Sequence, residues 1–194
     1  MMFEYFPSNY PWSMATVMAV NAGGVISEID EVLTSLTDIA GTNDEQANNA
    51  WHDAWSKLGE RNKRLAENDA ELNFNISAGD KLLRAACYLM TAERMCNANS
   101  PLRLTTYKQM LDCFNLGVSF LKSPVTRVEV PYKSTTLPGL FYPAEGKSKT
   151  SKSPCIIHFD GLDVMKEFLF LIGVPQQYAR RGISTLLLDH PGVG

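Results

Sequence analysis

The chain has 194 residues, of which 45% are hydrophobic and 20% are charged, and this composition predicts a globular protein with a buried core. Its 18 Lys and Arg residues stand against 21 Asp and Glu residues, which gives a net charge of -3 at pH 7. Nucleic acids and anionic membranes are bound by basic surfaces, so this charge argues against both partners. The sequence also contains no apolar run long enough to span a bilayer.

The cysteines and the N-terminal residues predict a cytoplasmic protein. Cys87, Cys96, Cys113 and Cys155 show neither a CxxC motif nor another zinc-ligand spacing, and each lies within an apolar pattern. They are interpreted as small buried hydrophobic residues in a reducing compartment. Residues 1–11 lack the basic segment and the apolar run of a secretory signal.

Before Pro124 the hydrophobic residues recur at helical spacing. The third predicted helix starts at Asn43, continues past Gly59, and carries Trp51 and Trp55, which are expected to be core residues. Short connections favour antiparallel helical hairpins. The predicted helices cover residues 12–21, 27–40, 43–65, 77–97 and 101–121.

After Pro124 the period of the pattern changes from 3.6 to 2. The apolar runs 154–159 and 183–188 are typical of parallel strands buried on both faces, and the helix predicted between them, 164–181, makes a right-handed βαβ unit. Two half-exposed strands precede this unit, at 125–132 and 136–142. Because the second contains Pro138 and Gly139, it is expected to be irregular or at an edge.

The chain therefore divides into a helical region, residues 1–123, and the first part of an α/β domain, residues 124–194. One hairpin and one βαβ unit cannot cover both faces of a sheet. We therefore expect the chain to be incomplete at its C-terminal side, with further strands supplied by following sequence or by a second chain.

Candidate chemistry lies at the carboxyl ends of the two buried strands, where open α/β sheets bind ligands. These ends are residues 158–163 and 189–194. The first is expected to open a helix directly, with outward-facing amides, and Gly161 allows a ligand to approach the backbone. Such a turn suits an oxyanion hole, although many glycine-containing turns are purely structural.

A nucleophile is not evident. The chain contains no G-x-S-x-G motif. His52 stands beside Asp53 in an acidic helix and is predicted to be solvated, whereas His158 and His190 either line one strand-end crevice or have structural roles. Residues 192–194 match only the start of a dinucleotide fingerprint and lie at the wrong place for one, so neither cofactor nor metal is expected.

Two strings carry a family resemblance. Residues 161–167 read G-L-D-V-M-K-E, and residues 189–194 read D-H-P-G-V-G. They resemble the family of α/β-hydrolases that includes FrsA-like esterases, 2,6-dihydropseudooxynicotine hydrolase and fungal polyketide-tailoring hydrolases of the fusarin-pathway type. The opening residues 3–10 are similar to the fungal subgroup.

The resemblance implies a Ser-Asp-His triad whose three members all follow Gly194, so no catalytic side chain is assigned to this chain. It places a backbone oxyanion hole at Asp160, Gly161 and Leu162 and leaves open which amide donates. The side chains of Asp163, Lys166 and Glu167 are expected to hold this loop to the start of the helix. Residues 1–123 would form a lid over an apolar pocket.

The expected protein is the first part of a serine-type hydrolase acting on a polyketide or a polyketide–amino-acid hybrid. Hydrolysis of an ester, lactone, amide or C–C bond and acyl transfer all remain open. Its expected partners are a small apolar substrate and the C-terminal remainder of the same protein, either in the same chain or as a separate chain. A homodimer is left open. The alternative is a non-enzymatic helical interaction module with a degenerate hydrolase remnant. A serine elbow just after Gly194 would favour the enzyme.

Overall fold

The computed structural model describes residues 4–42, 44–146 and 151–193. Predictions that concern Phe3, Asn43, Gly194 and part of the loop 145–153 lie outside these residues. The chain divides into two compact units, residues 1–122 and 123–194. Within the described residues, no helix combines the length and the apolar character that crossing a membrane requires.

The first unit is helical. The predicted helix over 27–40 is wrong in extent: it ends at Thr34, and a 3-10 turn, Thr37–Ile39, follows. The Ser35 hydroxyl bonds the Val32 carbonyl at 2.6 Å, and such side-chain bonds compete with the helical ladder. The helices are α1 (Tyr10–Asn21), α2 (Ile26–Thr34), α3 (Glu45–Glu71), α4 (Asn75–Glu93) and α5 (Pro101–Phe120).

Aromatic side chains form the core of this unit. Trp51 and Trp55 are fully buried, as predicted, with ring centroids 5.3 Å apart. The Trp51 indole Nε1 donates to the Thr91 carbonyl of α4 at 2.9 Å, so a polar bond accompanies the burial. The rings in sequential contact are Phe6, Trp12, Trp51, Trp55 and Tyr88.

The α4 and α5 helices pack closely where two glycines face each other. A Cβ atom placed on Gly117 would lie 3.2 Å from the Gly79 carbonyl oxygen and 2.8 Å from a Leu83 methyl carbon. A Cβ atom on Gly79 would lie 3.1 Å from the Gly117 carbonyl oxygen. The backbones therefore approach at a distance that only glycine allows on both sides.

We expect Gly117→Val to lower the free energy of unfolding by about 1–3 kcal/mol, because it overpacks this contact. Ser119→Val places the same side chain at an exposed site of the same helix and is expected to change stability by less than about 0.5 kcal/mol. Urea unfolding followed by tryptophan fluorescence reports on this unit, since all three tryptophans lie in it. Equal effects of the two substitutions would contradict the prediction.

The second unit is a four-stranded sheet with two short helices. Its strand order is β1-β2-β4-β3, and β3 pairs parallel to β4 with Cys155 opposite Ser184. The prediction of neighbouring parallel strands is confirmed. The elements are β1 (Thr126–Tyr132), β2 (Thr135–Tyr142), β3 (Cys155–His158), α6 (Lys166–Leu171), α7 (Val174–Ala179) and β4 (Ser184–Leu188).

The single helix predicted over 164–181 is wrong, because the chain forms α6 and α7 instead. Gly173 lies between them with a φ of 84°, a left-handed conformation that ends α6. Pro175 then occupies the first turn of α7, where its missing N–H costs no hydrogen bond. The Gly-Val-Pro string was the signal for this break.

Two expectations about the strands are also wrong. β3 is not buried on both faces: Ile157 is 59% exposed, since β3 is an edge of the described sheet and α6 and α7 pack mainly on β2 and β4. Conversely, β2 is an inner strand despite Pro138. The last β2–β4 pair is Gly139 with Leu188, so Pro138 lies past the end of that ladder, where no N–H is needed.

Candidate functional site

The candidate site lies in the two loops that follow β3 and β4. We call residues 159–165 the donor loop and residues 189–193 the β4 loop. Because β3 and β4 are adjacent and parallel, both loops leave the same edge of the sheet. The donor loop does not open a helix directly, as the sequence suggested, because α6 begins only at Lys166.

The amide N–H groups of the three predicted donors differ in their hydrogen bonds. The Gly161 N–H donates to the Asp160 carboxylate at 2.8 Å. Among the described residues, the N–H groups of Asp160 and Leu162 have no hydrogen-bond partner. No atom lies within 4 Å of a Cβ placed on Gly161, so space is open beside the loop. Of the three predicted donors, the amides of Asp160 and Leu162 are therefore available to a ligand.

A buried ionic cluster fixes the end of the donor loop to the start of the β4 loop. Asp189 accepts from the Lys166 backbone N–H at 2.7 Å and from its ammonium Nζ at 2.6 Å. The same ammonium lies 3.2 Å from Glu167, whose carboxylate also accepts from Arg127 of β1 at 2.9 Å. Lys166, Glu167 and Asp189 are each at least 98% buried.

Lys166 and Glu167 join the start of α6 to the β4 loop and to β1. Their expected hold on the donor loop itself stays a prediction. The sequence analysis missed their central partner, Asp189. Burial raises the pKa of this carboxyl group, and the adjacent Lys166 ammonium opposes that shift. The sequence did contain a sign of this pair, because each of the two motifs supplies one of its members. Lys166 belongs to G-L-D-V-M-K-E, and Asp189 belongs to D-H-P-G-V-G.

We expect Lys166→Met to lower the free energy of unfolding of this unit by about 3 kcal/mol at pH 7, because it leaves a buried carboxylate unpaired. Hydrogen exchange of the Leu187 and Leu188 amides measures the loss within the sheet. The control Lys152→Met removes an exposed lysine of the same unit and is expected to cost less than about 0.5 kcal/mol.

This deficit is expected to shrink as the pH falls. A carboxyl group with a raised pKa favours folding when protonated, and that contribution is lost as the pH rises through the raised pKa. Without Lys166 the pKa of Asp189 rises further, so acid removes the unpaired charge. A deficit between wild type and Lys166→Met that is the same at pH 7 and pH 5 would contradict this account.

The histidines are separated by the structure. His190 borders the donor loop, with Nε2 3.3 Å from the Gly161 carbonyl oxygen. His158 lines a cavity of about 340 Å³ together with Tyr178 and Arg181, on the side of α7.

The prediction that His52 is solvated is wrong. The His52 ring is 5% exposed, and its Nε2 lies 2.8 Å from the Thr106 hydroxyl of α5 and 3.2 Å from the Ser56 hydroxyl. Its Nδ1 lies 3.4 Å from Asp53. This grouping of Ser, His and Asp lies within one helix, whose ladder uses the nearby amides, so no oxyanion donor accompanies it. It is a polar contact between α3 and α5.

Two of the four cysteines, Cys87 and Cys113, are unsuited to nucleophilic chemistry. Burial raises the pKa of the Cys87 thiol to about 12 and that of Cys113 to about 11, so both remain protonated at neutral pH. Cys96 is half-buried. Cys155 is exposed on the edge strand β3, contrary to the prediction that it is buried.

No protein-family model matches the chain. It is similar to the α/β-hydrolase xenA of Xenoacremonium sinensis, with 26% identity over 199 residues that cover the whole chain and 45% of the relative. It is 31% identical to the α/β-hydrolase gkaG of Penicillium citrinum over 148 residues, which cover 75% of the chain and 34% of the relative. The chain thus spans less than half the length of these relatives.

A solved structure of 2,6-dihydroxy-pseudo-oxynicotine hydrolase superposes with a TM-score of 0.69 and 22% identity, covering 91% of this chain and 46% of that one. The chain has the fold of part of an α/β-hydrolase. The predicted fold class, a helical region followed by the first strands of an α/β-hydrolase sheet, is confirmed. The resemblance predicted from the two motifs is confirmed as well, since the relatives are α/β-hydrolases of fungal secondary-metabolite pathways.

Proposed function

We propose that this chain is the first part of a serine-type α/β-hydrolase and that its donor loop supplies the oxyanion hole. The observation that carries the proposal concerns the amides of Asp160 and Leu162, which have no hydrogen-bond partner in the part of the chain that the structure describes. Their loop is anchored at the carboxyl end of a parallel strand. Preset amide donors stabilise the negative charge that develops on a carbonyl oxygen under attack. A loop fixed by a buried ionic cluster provides such donors without reorganisation.

The nucleophile and its base come from sequence outside these 194 residues. The chain contains no G-x-S-x-G motif, and its relatives are more than twice as long as the matched region. β3 presents Ile157, 59% exposed, and the residue after it, Phe159, is 51% exposed. The remainder of the protein would cover this apolar edge and place its serine opposite the donor loop.

The relatives support a class of substrate. They are α/β-hydrolases of fungal secondary-metabolite pathways, which supports an apolar metabolite such as a polyketide or a polyketide–amino-acid hybrid. The reaction is attack of a serine hydroxyl on a carbonyl carbon, followed by transfer of the acyl group to water or to another acceptor. An ester, a lactone, an amide or an activated C–C bond fits this scheme.

A fluorophosphonate probe tests the proposal on the complete protein. We expect one serine to be labelled, located by mass spectrometry outside the 194 residues, because the probe reacts with an activated serine. Replacing that serine with alanine should abolish both labelling and turnover while the fold remains intact. A complete protein that the probe does not label would favour the alternative, a helical interaction module.

Gly161→Val tests the donor loop itself. Gly161 does not have a positive φ, and a Cβ atom at this position meets nothing within 4 Å, so the fold should be retained. The side chain would occupy the space next to the oxyanion donors, and we expect the labelling rate to fall by about 100-fold. Gly41→Val, at another exposed glycine where a Cβ atom would lie 3.6 Å from the Ser8 hydroxyl oxygen, is the control and should label at the wild-type rate. Unchanged labelling of a folded Gly161→Val protein would refute the oxyanion assignment.

A further inference from the structure

His190 contacts the peptide that carries one of the two available amides. Its ring Nε2 lies 3.3 Å from the carbonyl oxygen of Gly161. A carbonyl oxygen only accepts hydrogen bonds, so this contact is a hydrogen bond when the ring proton is on Nε2. The bonded oxygen and the Leu162 N–H belong to the same peptide unit.

The geometry of the peptide bond determines the direction in which the Leu162 N–H points. The described peptide bonds are trans, so the carbonyl oxygen and the following N–H point to opposite sides of one plane. With its carbonyl held toward His190, the Gly161–Leu162 peptide directs the Leu162 N–H away from His190. Rotation of this peptide would replace the donor with an acceptor, which would repel an oxyanion.

His190 is itself held in place. It directly follows Asp189, whose two carboxylate oxygens are bound by Lys166. The Gly161 N–H is bound to Asp160 and the Leu162 N–H has no partner among the described residues. The loop therefore has one amide whose orientation is set by a side chain of the other loop.

We propose that His190 is a positioning residue that orients the Leu162 N–H as an oxyanion donor. This inference rests on the proposed hydrolase function and deepens it, because it selects Leu162 and adds a residue from the β4 loop to the site. The role requires only a donor at the position of Nε2. A side chain with an amide N–H at similar reach should replace it.

The test compares His190→Leu with His190→Gln in the complete protein, using the rate of fluorophosphonate labelling. In that reaction the serine oxygen bonds to phosphorus, fluoride leaves, and the general base takes the hydroxyl proton, while the phosphoryl oxygen occupies the oxyanion hole. We expect His190→Leu to lower the maximal labelling rate by about tenfold or more, with the half-saturating probe concentration little changed. His190→Gln should remain within about threefold of wild type, because its side-chain amide donates to the Gly161 carbonyl.

The outcomes separate the two proposals. A labelled wild type with a His190→Leu variant that retains the full maximal rate would overturn the positioning role and leave the hydrolase proposal intact. Equal losses in His190→Leu and His190→Gln, at unchanged melting temperature, would also overturn it, since a donor would then be insufficient. A wild type that is not labelled would remove the hydrolase proposal and this inference together.

Discussion

The second unit depends on one buried interaction, the bond of Asp189 to both the backbone and the side chain of Lys166. Two charges removed from water are stable only when each satisfies the other, and here the geometry also joins the ends of two neighbouring strands. The donor loop begins at the end of β3 and ends at this bond, so both of its ends are anchored. Glu167 extends the link to Arg127 on β1, across the sheet.

Order in the donor loop therefore comes from its ends, while its middle is open to solvent. Leu162 is 88% exposed and Phe159 is 51% exposed, although both are apolar. An apolar loop tip anchored by buried charges is typical of a surface that is completed by something else. The donor loop thus combines anchored ends with an exposed apolar middle. The chain spans less than half the length of its relatives, and such a surface is suited to contact with a further part of the protein.

The sequence was most informative where local pattern decides structure. The apolar runs at the end of the chain specified two parallel strands, and the helical period located the core pair Trp51 and Trp55. It failed where tertiary contacts override local pattern: His52 has an acidic neighbour yet is buried by Thr106 of a distant helix. The role of Asp189 was missed for the same reason. It could be identified as the partner of Lys166 only once β3 and β4 were known to be adjacent. For the site, the two motifs indicated the loop. Which of its amides already donate a hydrogen bond within the protein could be determined only from the structure.

The strand order has a kinetic consequence. β2 is joined in sequence to β3 by a loop, yet its second partner is β4, with Tyr142 paired to Thr185. The helices of the first unit pack against near neighbours in sequence, and such local contacts form quickly. The side of β2 that faces β4 can instead pair only after β4 is synthesised, and β4 follows β3, α6 and α7 in the chain. During that interval β2 exposes unpaired backbone groups, so we expect aggregation to compete with folding until β4 pairs with β2.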